Sequence, residues 1–108
     1  LMVGLGGVWL ELMRDVAFAA PTIDRHGALA AISRTKASRL LAGFRGSPPR
    51  DIGALADAMV ALGRIASDLG NRLESIDINP IVVLNEGQGA VALDALVVLR
   101  PTTGGSDA

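Results

Sequence analysis

The chain lacks cysteine and tyrosine, and its only aromatic residues are one tryptophan and two phenylalanines among 108 residues. Without cysteine, disulfide bonds and thiolate metal sites are excluded. No apolar run approaches the roughly 20 residues that a membrane-spanning helix needs. A formal net charge of −1 offers no electrostatic footprint for nucleic acid. These absences predict a cytoplasmic protein with neither a membrane nor a nucleic-acid partner.

Aliphatic residues dominate instead: 50% of the chain is hydrophobic, and the mean hydropathy is +0.43. A chain of this length has room for one domain, which buries roughly two-thirds of its unfolded surface. That core must be built from Ala, Val, Leu and Ile. The high hydropathy also predicts a surface that another domain or subunit covers, and we expect a homo-oligomer.

Three oxygen-bearing side chains interrupt two apolar, strand-like segments, residues 76–84 and 90–95. They are Asp77, Asn79 and Asp94. A carboxylate in apolar surroundings is costly unless a partner compensates its charge. A hard divalent cation such as Mg²⁺ suits a set of carboxylate and amide oxygens. The pattern therefore indicates a magnesium site, and that ion points to a nucleotide phosphate as its other partner.

The alternation of side chains along a strand places Asp77 and Asn79 on one face. The glycine-rich residues 86–89 predict a hairpin turn between the two segments. A two- or four-residue loop centred on Gly87 and Gln88 pairs Asn79 with Leu96. Asp94 is then a diagonal neighbour of Asn79 on the same face, about 7–8 Å away. A three-residue loop would send Asp94 to the opposite face.

Structural explanations of the same residues remain open at this point. Asn79-Pro80 is a common turn pair, and Asp77 could cap a turn without binding a ligand. Asp94 could pair with an arginine or accept hydrogen bonds from the backbone. Spacing alone slightly favours these structural roles.

The rest of the chain predicts helices and a strand around these segments. Residues 8–20 indicate one long strand or a tight hairpin. Thr22 or Asp24 can cap a helix that runs to about residue 34. A short second helix is expected at about residues 36–42.

The clearest helix begins after Asp51, a good N-cap residue, and stops at Gly70-Asn71. Apolar residues recur within it at spacings of three and four, which is typical of a core-facing stripe. Gly63 lies inside this helix at a cost of about 1 kcal/mol relative to alanine, so close packing against a neighbouring element is expected there. We assign the stripe no chemistry.

Residues 73–83 and 89–95 together resemble the end of the ATP-grasp domain of ADP-forming acyl-CoA synthetases of the acetate–CoA ligase type. Succinyl-CoA synthetase β subunits are more distant relatives. The resemblance runs from about residue 3 to about residue 99, and the Asp-Ile-Asn-Pro and Leu-Asp-Ala pieces are its most specific part. Three upstream pieces agree with it: residues 4–11, 14–18 and 40–46.

The expected helices and strands predict an α+β fold, with a mainly antiparallel sheet of about four strands and helices on one face. Residues 1–100 would be the C-terminal part of an ATP-grasp domain, and residues 101–108 a polar tail or linker. Such a domain is about twice this long. The chain is therefore expected to be a fragment that works with the rest of the synthetase chain or with a partner subunit, and to be inactive alone.

The activity that the resemblance implies is the conversion of acyl-CoA, ADP and phosphate to a carboxylic acid, CoA and ATP through a phosphohistidine. In such enzymes the residues matching Asn79 and Asp94 hold the Mg²⁺ of the bound ATP or ADP. Asp77 matches a glutamate of the succinyl relatives that is thought to assist the phosphohistidine step, so it is the catalytic candidate, although it is one methylene shorter. His26, the single histidine, lies outside these motifs and is expected at the surface.

Two other functions remain in view. The chain could be a non-catalytic ATP-grasp-like module, fused to another enzyme as a regulatory or oligomerisation element. It could also be an interaction domain whose acidic residues only pair internally.

Overall fold

Blocks of helix and blocks of antiparallel strand follow one another along the chain, and the predicted α+β class is confirmed. The computed structural model describes residues 2–4, 16–18, 20–43, 46 and 48–101. The helices are α1 (Arg25–Ser33), α2 (Ala37–Leu41) and α3 (Ile52–Leu69), followed by a 3₁₀ turn at Gly70–Arg72. The strands are β1 (Met2–Gly4), β2 (Val16–Phe18), β3 (Leu73–Ile78), β4 (Ile81–Val83), β5 (Ala90–Ala92) and β6 (Ala95–Leu99).

Side-chain oxygens at the predicted caps set where two helices begin. Asp24 accepts a hydrogen bond from the Gly27 N–H at 2.8 Å, and Asp51 accepts one from the Ala54 N–H at 3.0 Å. These caps satisfy amide donors that have no partner within the helix. The cap predictions for α1 and α3 are confirmed, and α3 ends before Gly70 as expected.

The buried core lies between α1 and α3 and consists largely of small side chains. Alanine at the contact lets two helix backbones come close together, which suits a chain with few aromatic residues. Gly63 extends this close approach, because a Cβ at that position would overlap the carbonyl oxygen of Pro21. The close packing predicted at Gly63 is confirmed. The core residues are Ala28, Ala31, Ile32, Leu55, Ala56 and Met59.

The described strands pair as three two-stranded antiparallel sheets, β1 with β2, β3 with β6 and β4 with β5. From Ser75 onward the last two pairs share one register, with a shift between Leu73 and Ser75, and together they form a single β-ribbon, residues 73–99, which we call the ribbon. The Leu93 N–H donates to the Pro80 carbonyl at 3.0 Å where the ribbon passes from one pair to the other.

The hairpin turn of the ribbon lies one position earlier than the sequence predicts. The prediction centres the loop on Gly87 and Gln88. Instead, the Gln88 N–H donates to the Asn85 carbonyl at 2.8 Å, which makes Glu86 and Gly87 the central residues. Gly87 has a φ of +85°, in the left-handed region that favours glycine. The predicted register is therefore wrong by two positions, a shift that leaves every side chain on its predicted face.

The half-buried apolar residues of the ribbon change from even to odd positions between Ile78 and Ile81, so its buried side does not follow one unbroken alternation. In β4, Ile81 and Val83 are half-buried and pack against the helical core, while Val82 between them is exposed. In β3, the half-buried residues are Leu73, Ile76 and Ile78. The side chains between them are left facing outward.

Some predictions fall partly outside the described residues. Within the strand or hairpin expected over residues 8–20, Val16–Phe18 forms β2, whereas residues 8–15 and 19 are not among those described. The same holds for residues 102–108 of the expected tail. In the described part of the chain, no helix combines the length and apolar character needed to cross a membrane.

Candidate functional site

Asn79 and Asp94 lie directly opposite each other in the ribbon. The Asn79 N–H donates to the Asp94 carbonyl at 3.1 Å, in the register of the neighbouring pairs. Side chains of directly opposed residues project from the same face, with Cβ atoms about 4.5–5.5 Å apart. Asn79 is thus paired with Asp94 and not with Leu96, as the predicted loop centre implied. The corrected register brings the two candidate ligands closer together than the prediction did.

Asp77, the third candidate, lies opposite Leu96 and is one strand repeat away from Asn79. Its side chain is exposed, as are those of Asn79 and Asp94. The premise that these carboxylates stand in apolar surroundings is therefore wrong for this chain. The apolar neighbours Ile76 and Ile78 are half-buried and lie on the opposite face of the strand, because side chains alternate along it.

One oxygen of Asp94 is held by the backbone. Its Oδ1 accepts a hydrogen bond from the Ala95 N–H at 2.9 Å. This contact matches one of the structural alternatives, in which Asp94 accepts a hydrogen bond from the backbone, and it involves one of the two carboxylate oxygens. Carboxylates that bind metals commonly have one such second hydrogen bond, which fixes their orientation.

The side-chain oxygens of Asn79 and Asp94 would fit a metal ion that takes its remaining ligands from water or from a bound phosphate. Among the described residues, no group of three or more His, Cys, Asp or Glu side chains is placed to hold a metal ion. One amide oxygen and one carboxylate do not form a complete cage. They do match Mg²⁺, which is typically bound by one or two carboxylates together with waters and substrate phosphates.

Sequence reasoning missed a group of contacts that holds the turn of the ribbon, because it identified Asp51 only as a helix cap. The second oxygen, Oδ2, accepts from the Gly89 N–H at 2.9 Å, a contact between residues 38 positions apart. Hydrogen bonds from Ala54 and Gly89 lower the pKa of the Asp51 carboxyl below its ordinary value. No sequence signal links Asp51 to a particular glycine so far along the chain.

His26 is exposed near the start of α1, as expected. Its neighbour Arg25 donates from Nε to Asp57 Oδ1 on α3 at 3.0 Å, in an ion pair whose side chains are both largely exposed. Exposed pairs of this kind contribute little to stability. We assign this part of the surface no role in the site.

A family model described as an ATP-grasp domain matches residues 1–99. The chain belongs to the ATP-grasp domain family. It is 41% identical over 99 residues to the β subunit of ADP-forming acetate–CoA ligase I from Pyrococcus furiosus, in an alignment covering 92% of this chain and 41% of that subunit. It is 37% identical over 100 residues to the β subunit of ligase II from the same organism, covering 93% and 42%. The resemblance to ADP-forming acyl-CoA synthetases is confirmed.

Solved structures agree with these relatives. A crystal structure of a Pyrococcus horikoshii protein matches with a TM-score of 0.87 and 36% identity, covering 94% of this chain and 42% of that one. A dinucleotide-forming acetyl-coenzyme A synthetase 1 from Ca. Korarchaeum cryptofilum matches with a TM-score of 0.84 and 39% identity, covering 92% and 45%. That structure is a complex with coenzyme A and Mg-AMPPCP. This ATP-grasp chain spans less than half the length of each of these relatives.

Proposed function

We propose that this chain forms the magnesium–nucleotide half-site of an ADP-forming acyl-CoA synthetase. The reaction is the conversion of acyl-CoA, ADP and phosphate to a carboxylic acid, CoA and ATP through a phosphohistidine. The remainder of the synthetase chain or a partner subunit supplies the other half of the site, so we expect the chain alone to be inactive.

The pairing of Asn79 with Asp94 carries the proposal. The Asn79 N–H donates to the Asp94 carbonyl at 3.1 Å, and both side chains are exposed on one face of the ribbon. This arrangement brings an amide oxygen and a carboxylate together where a ligand from outside the chain can reach both. The Korarchaeum structure is a complex with Mg-AMPPCP, and this supports a magnesium nucleotide as the class of ligand.

The roles of the residues follow from their chemistry. Asn79 would hold Mg²⁺ through its side-chain oxygen, and Asp94 through the carboxylate that the Ala95 N–H orients. The ion supplies positive charge that neutralises phosphate oxygens during transfer. Asp77, one strand repeat from Asn79, would stabilise or deprotonate the phosphate-accepting histidine that another segment brings to the site.

The test is ATP formation by the full-length synthetase that contains this sequence. Asn79→Ala and Asp94→Ala should each lower the rate on the order of 100-fold or more, because charge stabilisation by the ion is worth several kcal/mol. Asp94→Asn keeps an oxygen ligand but removes the charge. It should fall between the wild type and Asp94→Ala, with a raised Mg²⁺ requirement.

Glu74→Gln is the matched control, because Glu74 is an exposed acidic residue of the same strand outside the pair. It should leave both the rate and the Mg²⁺ requirement unchanged. Wild-type activity in Asn79→Ala or Asp94→Ala would reject the metal role of that residue. The circular dichroism spectrum of each variant should match the wild type, because both side chains are exposed.

A further inference from the structure

The carboxylate of Asp51 joins two elements that are far apart in sequence. Oδ1 accepts from the Ala54 N–H at 3.0 Å and caps α3, while Oδ2 accepts from the Gly89 N–H at 2.9 Å in the ribbon. The Asp51 N–H in turn donates to the Leu84 carbonyl at 2.7 Å. One residue therefore holds both strands of the ribbon, one on each side of the hairpin turn.

The two preceding residues reinforce this connection, and we call residues 49–51 the clamp. The Pro49 carbonyl accepts from the Glu86 N–H at 3.0 Å. Arg50 Nη1 donates to Asn85 Oδ1 at 3.0 Å, and the Arg50 N–H donates to the Leu41 carbonyl at the end of α2 at 2.6 Å. The clamp thus ties the turn of the ribbon to the helices through backbone and side-chain bonds.

The clamp and the Asn79–Asp94 pair contact the same two strands, and the pairing of residues between those strands continues from one point to the other. Leu84 is five residues beyond Asn79, and Gly89 is five residues before Asp94, so the clamp bonds the same two strands about 17 Å from the pair. Between the two points, Ile81 and Val83 pack against the core. The helices therefore set the position of the ribbon through one apolar contact and one hydrogen-bonded contact.

We propose that Asp51 is a positioning residue for the magnesium–nucleotide site, because its contacts with Gly89 and Leu84 hold the ribbon against the helices. The inference rests on the proposed function. Asn79 and Asp94 are fixed relative to each other within the ribbon, but a nucleotide phosphate is held by other parts of the enzyme. A displacement of the ribbon would move both ligands away from that phosphate together, and a misplacement of about 1 Å can cost 100-fold in rate.

Asp51→Asn in the full-length synthetase tests the proposal, because asparagine is also a good helix cap. Its single side-chain oxygen can accept from Ala54 or from Gly89 but not from both, because the NH2 group that replaces the second oxygen is a donor, so the side-chain link between α3 and Gly89 is broken. Asp24→Asn is the matched control: it makes the same change at the cap of α1, where Asp24 accepts from Gly27. The measured quantity is the Mg²⁺ concentration that gives half-maximal ATP formation, at a temperature where each variant is fully folded.

Asp51→Asn should raise this concentration about tenfold, and Asp24→Asn should leave it unchanged. Asn85→Ala removes a second contact of the clamp and should raise it in the same direction, so the test remains decisive if Asp51→Asn does not fold. A lowered melting temperature with a wild-type Mg²⁺ requirement in the tested variants would show a purely structural clamp and overturn the inference. If Asn79→Ala and Asp94→Ala also kept full activity, the proposed function itself would fail.

Discussion

Gly63 of α3 lies directly against the carbonyl group of Pro21, and the nearest atoms to a side chain at position 63 would be backbone atoms. The carbonyl carbon of Pro21 would be 3.0 Å from an added Cβ, and the oxygen closer still. Backbone atoms cannot move aside as the end of a flexible side chain can. The segment that leads into α1 is thus packed on α3 at a point where only glycine fits.

We predict that Gly63→Ala lowers stability, although alanine is the better helix former. The gain in helix propensity is about 1 kcal/mol, while forcing an extra carbon into a packed contact costs about 1–3 kcal/mol. Thermal unfolding followed by circular dichroism measures the balance. Gly53→Ala in the same helix is the control, because its added carbon would meet the movable guanidinium of Arg25. A higher melting temperature for Gly63→Ala would show that the Pro21 contact yields easily.

Local chemistry accounts for what could be predicted of the helices. Asp24, Asp51 and Gly70 act within one turn of their own position, through hydrogen bonds to nearby amides or through a glycine conformation. Their effect depends little on the rest of the fold, so the predicted limits of α1, α2 and α3 lie within about a residue of the observed ones.

The register of the ribbon required information that the local sequence does not contain. Glycines at positions 87 and 89 allow more than one turn centre, and both adopt positive φ in the structure. The contact of Gly89 with Asp51, 38 residues away, is part of what holds the observed turn in place. The predicted register differs from the observed one by two positions. Because this is an even number, Asn79 and Asp94 still lie on the predicted face of the ribbon.

The exposure of the candidate site could not be judged from hydropathy. Asp77 stands between Ile76 and Ile78, which suggested a buried carboxylate. In an alternating strand those neighbours belong to the opposite face, and Leu96 across from Asp77 is itself 61% exposed. A metal ion at this site is therefore supported by the proximity of the oxygen ligands and by the family, and not by the cost of burying charge.

Asp77 is predicted to act on phosphate transfer and not on metal binding. In the full-length synthetase, Asp77→Asn should lower the rate of phosphate transfer between the nucleotide and the histidine by about 100- to 10,000-fold, the usual contribution of a general acid or base. The Mg²⁺ concentration for half-maximal activity should stay at the wild-type value. Rapid-quench measurement of the phosphohistidine gives the rate directly.

Two further variants sharpen the test of Asp77. Asp77→Glu keeps the carboxylate and lengthens the side chain by one methylene, and it should retain most of the activity. Asp68→Asn changes an exposed carboxylate on α3 and should have no effect. A shift of the Mg²⁺ requirement in Asp77→Asn, with an unchanged maximal rate, would place Asp77 among the metal ligands instead.

Asp51 should make the stability of the chain depend on pH in the acid range. Hydrogen bonds from Ala54 and Gly89 lower its pKa in the folded protein below the ordinary value of 3.8. A carboxyl with a depressed folded pKa contributes stability that is fully present above about pH 3.8 and is lost as the pH falls from there through the folded pKa.

Asp51→Asn does not titrate, so its free energy of unfolding should change less between pH 5 and pH 3 than that of the wild type. Urea unfolding at a series of pH values measures the difference, and Asp68→Asn serves as the control because Asp68 is exposed and lies outside the clamp. Parallel curves for Asp51→Asn and the wild type would mean that the pKa of Asp51 is not lowered in the folded protein.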